Sequence, residues 1–295
     1  MNKYAIITDS TSDLCQDFRR QYGIDYVQMN ISYDDKELPA SLDWEIYSPK
    51  ELYDTMRNGK RIRTTQVPYE TFKEKFKSYL EKGEDVLYIS CSSALSGSVN
   101  IARIVKDELS SEYPNNKIVI VDSLISCLGQ GLLVIKASTL REEGKSIDEV
   151  QSYLESNKLK VNQVCTVETL DYLKRAGRVK ASSAFFGNLF GVKPIIISDV
   201  IGQNYAFKKI KGRVASMNYL VEYMKENIID PENQIIYVVH ADSIEDANYL
   251  KEHILQTVKC KDVYIDYIGP IVGASVGPGA VAIYFMGKEV TIKGE

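Results

Sequence analysis

Two hydroxyl-rich segments and one glycine-rich segment carry the residue types that could do chemistry. The first is Ser90-Cys91-Ser92-Ser93-Ala94-Leu95-Ser96-Gly97-Ser98. It lies between an apolar run that reads as a strand, 85–90, and a helical pattern near 97–109. A helix start offers unsatisfied N–H groups and the positive end of the dipole, both suited to an anion. The serine hydroxyls add donors, and Gly97 lets a ligand approach the backbone closely. The same serines also fit a plain helix cap. The second segment, Arg63-Thr64-Thr65-Gln66-Val67-Pro68, again precedes a helical pattern and reads either as an ordinary capped turn or as a second set of donors.

The third runs from Ile268 to Gly279 and contains Gly273-Ala274-Ser275-Val276-Gly277. That is a literal match to the GxSxG elbow of the α/β hydrolases. A serine hydrolase acting through Ser275 is therefore the alternative reading of the chain. Its order is wrong for that fold, which needs an acid and then a histidine after the serine. No histidine follows Ser275, and nothing in the spacing requires His240 to meet it. Two basic groups also stand out. Lys174, Arg175, Arg178 and Lys180 surround Gly177, and Lys208, Lys209, Lys211 and Arg213 flank Gly212. They fit a solvated surface, or a dock for an acidic partner or phosphate. No Walker sequence or complete dinucleotide fingerprint occurs. The five cysteines form no CxxC pair and read as reduced, mostly buried thiols; with only two histidines, a zinc site is not expected.

The elements that position these segments alternate. Strand patterns are expected at 4–8, 85–90 and 117–122, with helices over 69–80, 97–109 and 129–143. In helix 69–80, Tyr69, Phe72, Phe76, Tyr79 and Leu80 share one face. Strand, turn and helix in repetition predict a mainly parallel sheet covered by helices. Ser10-Thr11-Ser12-Asp13 has capping-box spacing, as does Ser243-Ile244-Glu245-Asp246. After about residue 158 the pattern changes. Strands are expected at 162–167, 193–198, 205–209, 234–240, 263–268 and 280–285. Short helical pieces fall at 169–176 and 182–189, and longer helices at 214–227 and 244–258. Adjacent strands without an intervening helix predict a mixed sheet. The expected organisation is thus two α/β domains, 1–158 and 159–295.

Composition bounds the partners. The chain has 295 residues, 44% hydrophobic and 26% charged, with formal charge −4. That balance gives no reason to expect nucleic acid. The N-terminus reaches charge before any long apolar run, and no stretch approaches the ~18 apolar residues of a spanning helix. A soluble, cytoplasmic protein is expected.

Taken in order, the motifs resemble the bacterial DegV family. The matching pieces are Thr8-Asp9-Ser10-Thr11-Ser12-Asp13-Leu14, Thr64-Thr65-Gln66-Val67-Pro68, Ser92–Ser98, Val121-Asp122-Ser123, Thr169–Arg178, Lys193-Pro194-Ile195 and the loop Gly269–Gly279. The resemblance implies a non-enzymatic carrier with a long apolar tunnel between two α/β domains. It implies a bound long-chain fatty acid, presented to a fatty acid kinase that forms an acyl phosphate for phospholipid synthesis, with no cofactor. Exchange of the ligand would involve transient membrane-surface contact. Carried over, the carboxylate-gripping residues are Thr64 and Ser96, with Thr65, Gly97 and Ser275 beside them. Ser275 stands where many relatives have histidine; a hydroxyl donates a hydrogen bond but carries no charge. Arg178 and Lys211 would face the kinase. The energetics suit an acyl chain, since about 15 buried CH₂ groups offer about 12 kcal/mol gross at ~0.8 each. The carboxylate needs donors at one end.

Overall fold

In chain order, the first part of the molecule runs β1 (Tyr4–Asp9), α1 (Gln16–Gln21), β2 (Ile24–Val27), β3 (Asn30–Tyr33), β4 (Lys36–Pro39), α2 (Pro49–Arg57), β5 (Arg63–Thr65), α3 (Tyr69–Leu80), β6 (Asp85–Ser90), α4 (Ser98–Glu112), β7 (Ile118–Asp122), α5 (Cys127–Glu142) and α6 (Ile147–Asn157). The second part runs β8 (Val161–Thr166), α7 (Asp171–Ala176), β9 (Val192–Ser198), β10 (Asn204–Lys211), α8 (Arg213–Asn227), β11 (Ile235–His240), α9 (Ile244–Thr257), β12 (Asp262–Tyr267), α10 (Pro270–Val276) and β13 (Val281–Met286). The structure, a computed structural model, describes residues 3–182, 185 and 191–294. Most of the helical piece expected at 182–189 lies outside them.

Strands β1 and β6 are buried along their whole length, as near-continuous apolar runs in a covered parallel sheet should be. They sit at the centre of a four-stranded parallel sheet of order β2-β1-β6-β7. From β1 the chain leaves to β2 on one side and reaches β6 on the other. The strand order therefore reverses between β1 and β6, where open α/β sheets form a crevice. Helix α3 covers this sheet through Phe72, Phe76 and Leu80, spaced four apart. Phe72 and Phe76 lie 5.0 and 6.0 Å from the Tyr88 ring. The second sheet is six-stranded and mixed, of order β10-β9-β8-β13-β11-β12, with only β11 and β12 parallel. The expected parallel-plus-mixed α/β architecture is present. Among the described residues, no helix is long and apolar enough to cross a membrane.

Three local expectations fail for physical reasons. Ser10–Asp13 caps no helix. Ser10 Oγ donates to the Ala40 carbonyl at 2.8 Å and accepts from Met29 N–H at 3.0 Å, so its hydroxyl ties two loops instead. Helix α1 starts later, after Cys15. At Ser243 the hydroxyl donates to the Asp246 carboxylate, which Arg213 also grips at 2.7 Å, and no backbone cap forms. Complete capping boxes occur instead at Ser48/Glu51 and Ser146/Glu149, starting α2 and α6. Thr64 and Thr65 lie in strand β5, part of a small antiparallel sheet β4-β3-β5, and not in a capped turn.

The two large sheets meet through close packing. The Phe18 ring meets Tyr264 at 4.9 Å, and Tyr53 Oη donates to the Ile268 carbonyl at 2.6 Å. Gly202, at φ +77°, carries a turn of the second part against Ser92 and the Leu124 backbone of the first. A Cβ there would lie 2.2 Å from Ser92 Oγ and 2.7 Å from the Leu124 carbonyl oxygen. Left-handed strain and overpacking both oppose a side chain at this position. Gly202→Val is expected to cost about 3 kcal/mol, read as a lower urea midpoint at unchanged slope.

Candidate functional site

The loops after β1 and β6 meet at the carboxyl edge of the parallel sheet. Asp9, at the end of β1, accepts from Tyr88 Oη at 2.6 Å, from Cys91 N–H at 3.1 Å and from Thr11 N–H at 3.0 Å. Thr11 and Gln130 complete a buried polar network that reaches Thr8 and the Ile89 carbonyl. This network fixes the base of the crevice. Above it the serine loop turns tightly, with Leu95 and Ser96 N–H groups on the Ser92 carbonyl at 2.9 and 3.0 Å. Ser96 Oγ lies 3.0 Å from Ser98 Oγ, which accepts the Val67 N–H at 3.1 Å. The serine loop is thereby anchored to the segment that follows β5.

A cavity of about 130 Å³ opens here. Thr64, Thr65, Ser96, Gly97 and Ser275 all line it, drawn from three distant stretches of sequence. Arg178 lines it too. Its apolar wall includes Met29, Leu95, Leu173, Ile271, Val272 and Val276. Thr64 is half-buried, whereas Thr65 is exposed. Gly97 is covered by Gln66, whose Oε1 sits where a Cβ would be. The glycine-rich segment is helical: Gly269 caps α10 and Pro270 opens it. Ser275 therefore sits near the end of a helix, its Oγ 3.4 Å from the Ile271 carbonyl, and not on a strand-to-helix elbow. His240 accepts the Ser243 N–H on Nδ1 and its ring centroid lies 4.4 Å from that of Tyr267, tilted by 52°, and burial lowers its pKa. Among the described residues it makes no hydrogen bond to Ser275, so the hydrolase geometry is not assembled.

Arg178 reaches the cavity because of how α7 stops. Gly177, at φ +68°, is left-handed. The Gly177 N–H bonds the Lys174 carbonyl at 3.1 Å and the Arg178 N–H bonds that of Leu173 at 3.0 Å, the paired bonds of a Schellman ending. The turn aims Arg178 back at the serine loop, where its Nε donates to the Leu95 carbonyl at 2.9 Å. Arg178 is thus a wall of the ligand cavity as well as an exposed cation. Lys211 is not brought to it: it ends β10, is exposed, and lines neither of the cavities at this edge. Among the described residues, this cavity is not a long open tunnel. The cavity is smaller than the roughly 300–1,000 Å³ of ligand pockets, and the apolar core beyond it is closely packed.

Thr11, Ser126 and Asn204 line the cavity without having been expected from the sequence as site residues. Thr11 follows a strand end, and the rule that ligands bind there could have found it. Asn204 begins β10 and is placed by a bond from its Nδ2 to the Arg178 carbonyl at 3.0 Å, a long-range contact with no local signal. The three buried cysteines, Cys91, Cys127 and Cys165, are free thiols whose pKa values burial pushes up, Cys165 to about 12. They carry no thiolate chemistry. Among the described residues no cluster of His, Cys, Asp and Glu could hold a metal ion.

Together these features define a two-lobed α/β protein with an anion-suited cleft at the strand-order reversal. The chain belongs to the DegV family: a family model described as "Uncharacterised protein, DegV family" matches residues 3–288. A DegV domain-containing protein of Clostridium perfringens is 39% identical over 287 residues, covering 97% of this chain and 98% of the relative. One from Streptococcus pyogenes serotype M1 is 30% identical over 285 residues, covering 97% and 98%. Among solved structures, a DegV family protein from Thermus thermophilus, described for its fatty acid binding, superposes with TM-score 0.87 at 26% identity, covering 96% of this chain and 98% of that one. DegV of Bacillus subtilis, described as a fatty acid binding protein, gives TM-score 0.82 at 26% identity, covering 98% and 100%.

Proposed function

We propose that this chain binds a long-chain fatty acid and presents its carboxylate to a fatty acid kinase, without catalysing the reaction itself. One observation carries the reading: Thr64, Ser96, Ser275 and Arg178 converge on one cavity that also has an aliphatic wall of Met29, Leu95, Leu173, Ile271, Val272 and Val276. Hydroxyls and a guanidinium at one end make a buried carboxylate tolerable, and the aliphatic wall receives the acyl chain. The direction follows, with the tail running along α10 between the two α/β domains, 1–158 and 159–295, and the head at the mouth. The core there repacks to admit the tail, which opens the tunnel. In the reaction served, a carboxylate oxygen bonds to the terminal phosphorus of a nucleoside triphosphate held by the kinase. The bond from that phosphorus to its bridging oxygen breaks, and the diphosphate leaves. The acyl phosphate then enters phospholipid synthesis in the cytoplasm, with ligand exchange at the membrane surface. Arg178, exposed at the mouth, faces the kinase, and Lys211, at the other end of β10 from Asn204, offers the kinase a separate basic contact.

Native and then denaturing mass spectrometry of the recombinant protein tests the reading. A stoichiometric mass loss matching a fatty acid is expected. A protein that carries no acyl chain and takes up none when offered would sink it.

A further inference from the structure

Ser12 Oγ and both carboxyl oxygens of Asp13 are buried polar atoms with no hydrogen-bond partner in good geometry among the described residues. Ser12 is fully buried and Asp13 is 5% exposed. Their neighbours are mostly apolar. Leu14 and Cys127 belong to the hydrophobic core, and Leu42 packs with Asp13 around Gly269. The Cys127 thiol and the Gly269 N–H flank the carboxyl without good hydrogen-bond geometry. Gly269 approaches Oδ1, so even a cap contact there leaves Oδ2 and Ser12 Oγ unmet. Buried polar groups in folded proteins are nearly always paired, because shedding water without a replacement is costly. The position of these atoms indicates what meets them. Thr11 lines the ligand cavity, and Ser12 and Asp13 are the next two residues. Ile271 and Val272 of α10 line it as well, and Asp13 abuts Gly269, the cap of that helix. The pair therefore adjoins the cavity at the Gly269 end of α10. Ser275 lies six residues further along the helix, about 9 Å away at 1.5 Å per residue.

An acyl chain whose carboxylate is held beside Ser275, and whose tail follows α10, brings its middle carbons to Ser12 and Asp13. We propose that these two residues form a subsite for a hydroxyl group in the middle of the acyl chain, so that the ligand class of this carrier is a mid-chain hydroxylated fatty acid. The inference rests on the fatty acid reading and narrows its substrate. An alkyl hydroxyl both donates and accepts a hydrogen bond. It donates to an Asp13 oxygen and accepts from Ser12 Oγ. It thereby meets both side chains without adding charge to the core, and its own burial is tolerated once it is paired. A plain methylene chain at the same place leaves both unmet.

Calorimetry on the intact chain tests this with stearate, 10-hydroxystearate and 17-hydroxystearate. The last two are isomers of equal polarity, and only the first of them carries its hydroxyl at mid-chain. The wild type is expected to bind the 10-hydroxy isomer about tenfold more tightly than the 17-hydroxy isomer. Asp13→Gly removes the carboxyl and suits the left-handed backbone there, at φ +51°. In that variant the preference between isomers should fall below about twofold. Asp13→Asn keeps a polar side chain of the same shape and should retain the preference. A thermal melt checks that each variant is folded. If Asp13→Gly does not fold, Ser12→Ala supplies the same readout, with the preference cut about threefold or more. Equal affinity of the wild type for the two isomers would overturn the subsite. So would a preference that survives in the folded variants, and the unmet atoms then hold a buried water only. Binding of stearate with rejection of both isomers likewise sinks the subsite and leaves the carrier reading standing. Failure of the wild type to bind any of the three acids overturns the carrier reading beneath it.

Discussion

Thr64→Val combined with Ser96→Ala is expected to weaken palmitate binding by about two to three orders of magnitude. In the proposed complex each hydroxyl would donate to the carboxylate, and a hydrogen bond to a charged group is worth about 1.5–3 kcal/mol. Two such bonds correspond to roughly a hundredfold or more. Valine keeps the shape of Thr64, so β5 and its pairing with Ile31 survive. Ser96 also accepts the Ser98 N–H at 3.3 Å, but Ser98 still holds Val67 from its own hydroxyl. Methyl palmitate supplies the control. The ester has no charge to grip, so its affinity should move by no more than a few-fold in the same variant. A parallel loss for acid and ester would show that these side chains shape the cavity and do not hold the carboxylate.

Three strands of the parallel sheet, β1, β6 and β7, were legible because they are largely buried and read as apolar runs, such as Asp85–Ser90, whereas the four-residue, half-buried edge strand β2 was not. Helix α3 was legible to the residue, because Phe72, Phe76 and Leu80 repeat at helical spacing. The three-stranded sheet was not. Its strands, β3, β4 and β5, are three or four residues long and half-exposed, and such segments carry no periodicity to distinguish them from turns. Capping chemistry misled in both directions. S-x-x-E spacing at Ser48 and Ser146 marks true boxes, while Ser10 spends its hydroxyl on Ala40 and Met29, contacts about twenty to thirty residues away. Residue type alone cannot say where a hydroxyl will donate. The site shows the same division. Thr64, Ser96 and Ser275 were visible as motif residues, and their convergence follows from topology. Arg178 was visible as a surface cation, but its place in the cavity depends on the Gly177 ending, and that of Asn204 on a contact across the fold. The helix ending is local, but the contacts of Arg178 with Leu95 and of Asn204 with Arg178 are tertiary geometry that no local pattern encodes.

Replacing Asp13 by asparagine should stabilise the protein at neutral pH and leave it almost unchanged near pH 4. Asp13 lies in the loop after β1 at φ +51°, 5% exposed, between the two sheets. Its carboxylate oxygens have no partner in good hydrogen-bond geometry. Burial raises its pKa to about 8; the Cys127 thiol and the Gly269 N–H pull the other way without offsetting it, and Asp266 and Asp9 add to the rise. In the unfolded chain the same group titrates near 3.8. Between those two values the folded protein keeps a proton that the unfolded chain has released. Folding stability therefore falls as pH rises from about 4 to about 8, in contrast to a salt-bridged carboxylate. At pH 7 the accumulated penalty is up to about 4 kcal/mol, at ~1.36 kcal/mol per pH unit, a large fraction of the roughly 5–15 kcal/mol that holds a domain folded. Asparagine fills the same space with no proton to lose, so Asp13→Asn should melt higher than the native chain at pH 7 and converge with it near pH 4. Parallel melting curves at both pH values would place the Asp13 carboxylate in contact with water or a cation. Gly269 explains why the position persists. A Cβ on Gly269 would come within 2.1 Å of Asp13 Oδ1, so the cap of α10 seats directly on this carboxyl. Helix α10 carries Ile271, Val272 and Ser275 into the ligand cavity. A neutral carboxyl at the foot of that helix ties the protonation of the inter-sheet core to the helix that lines the cavity.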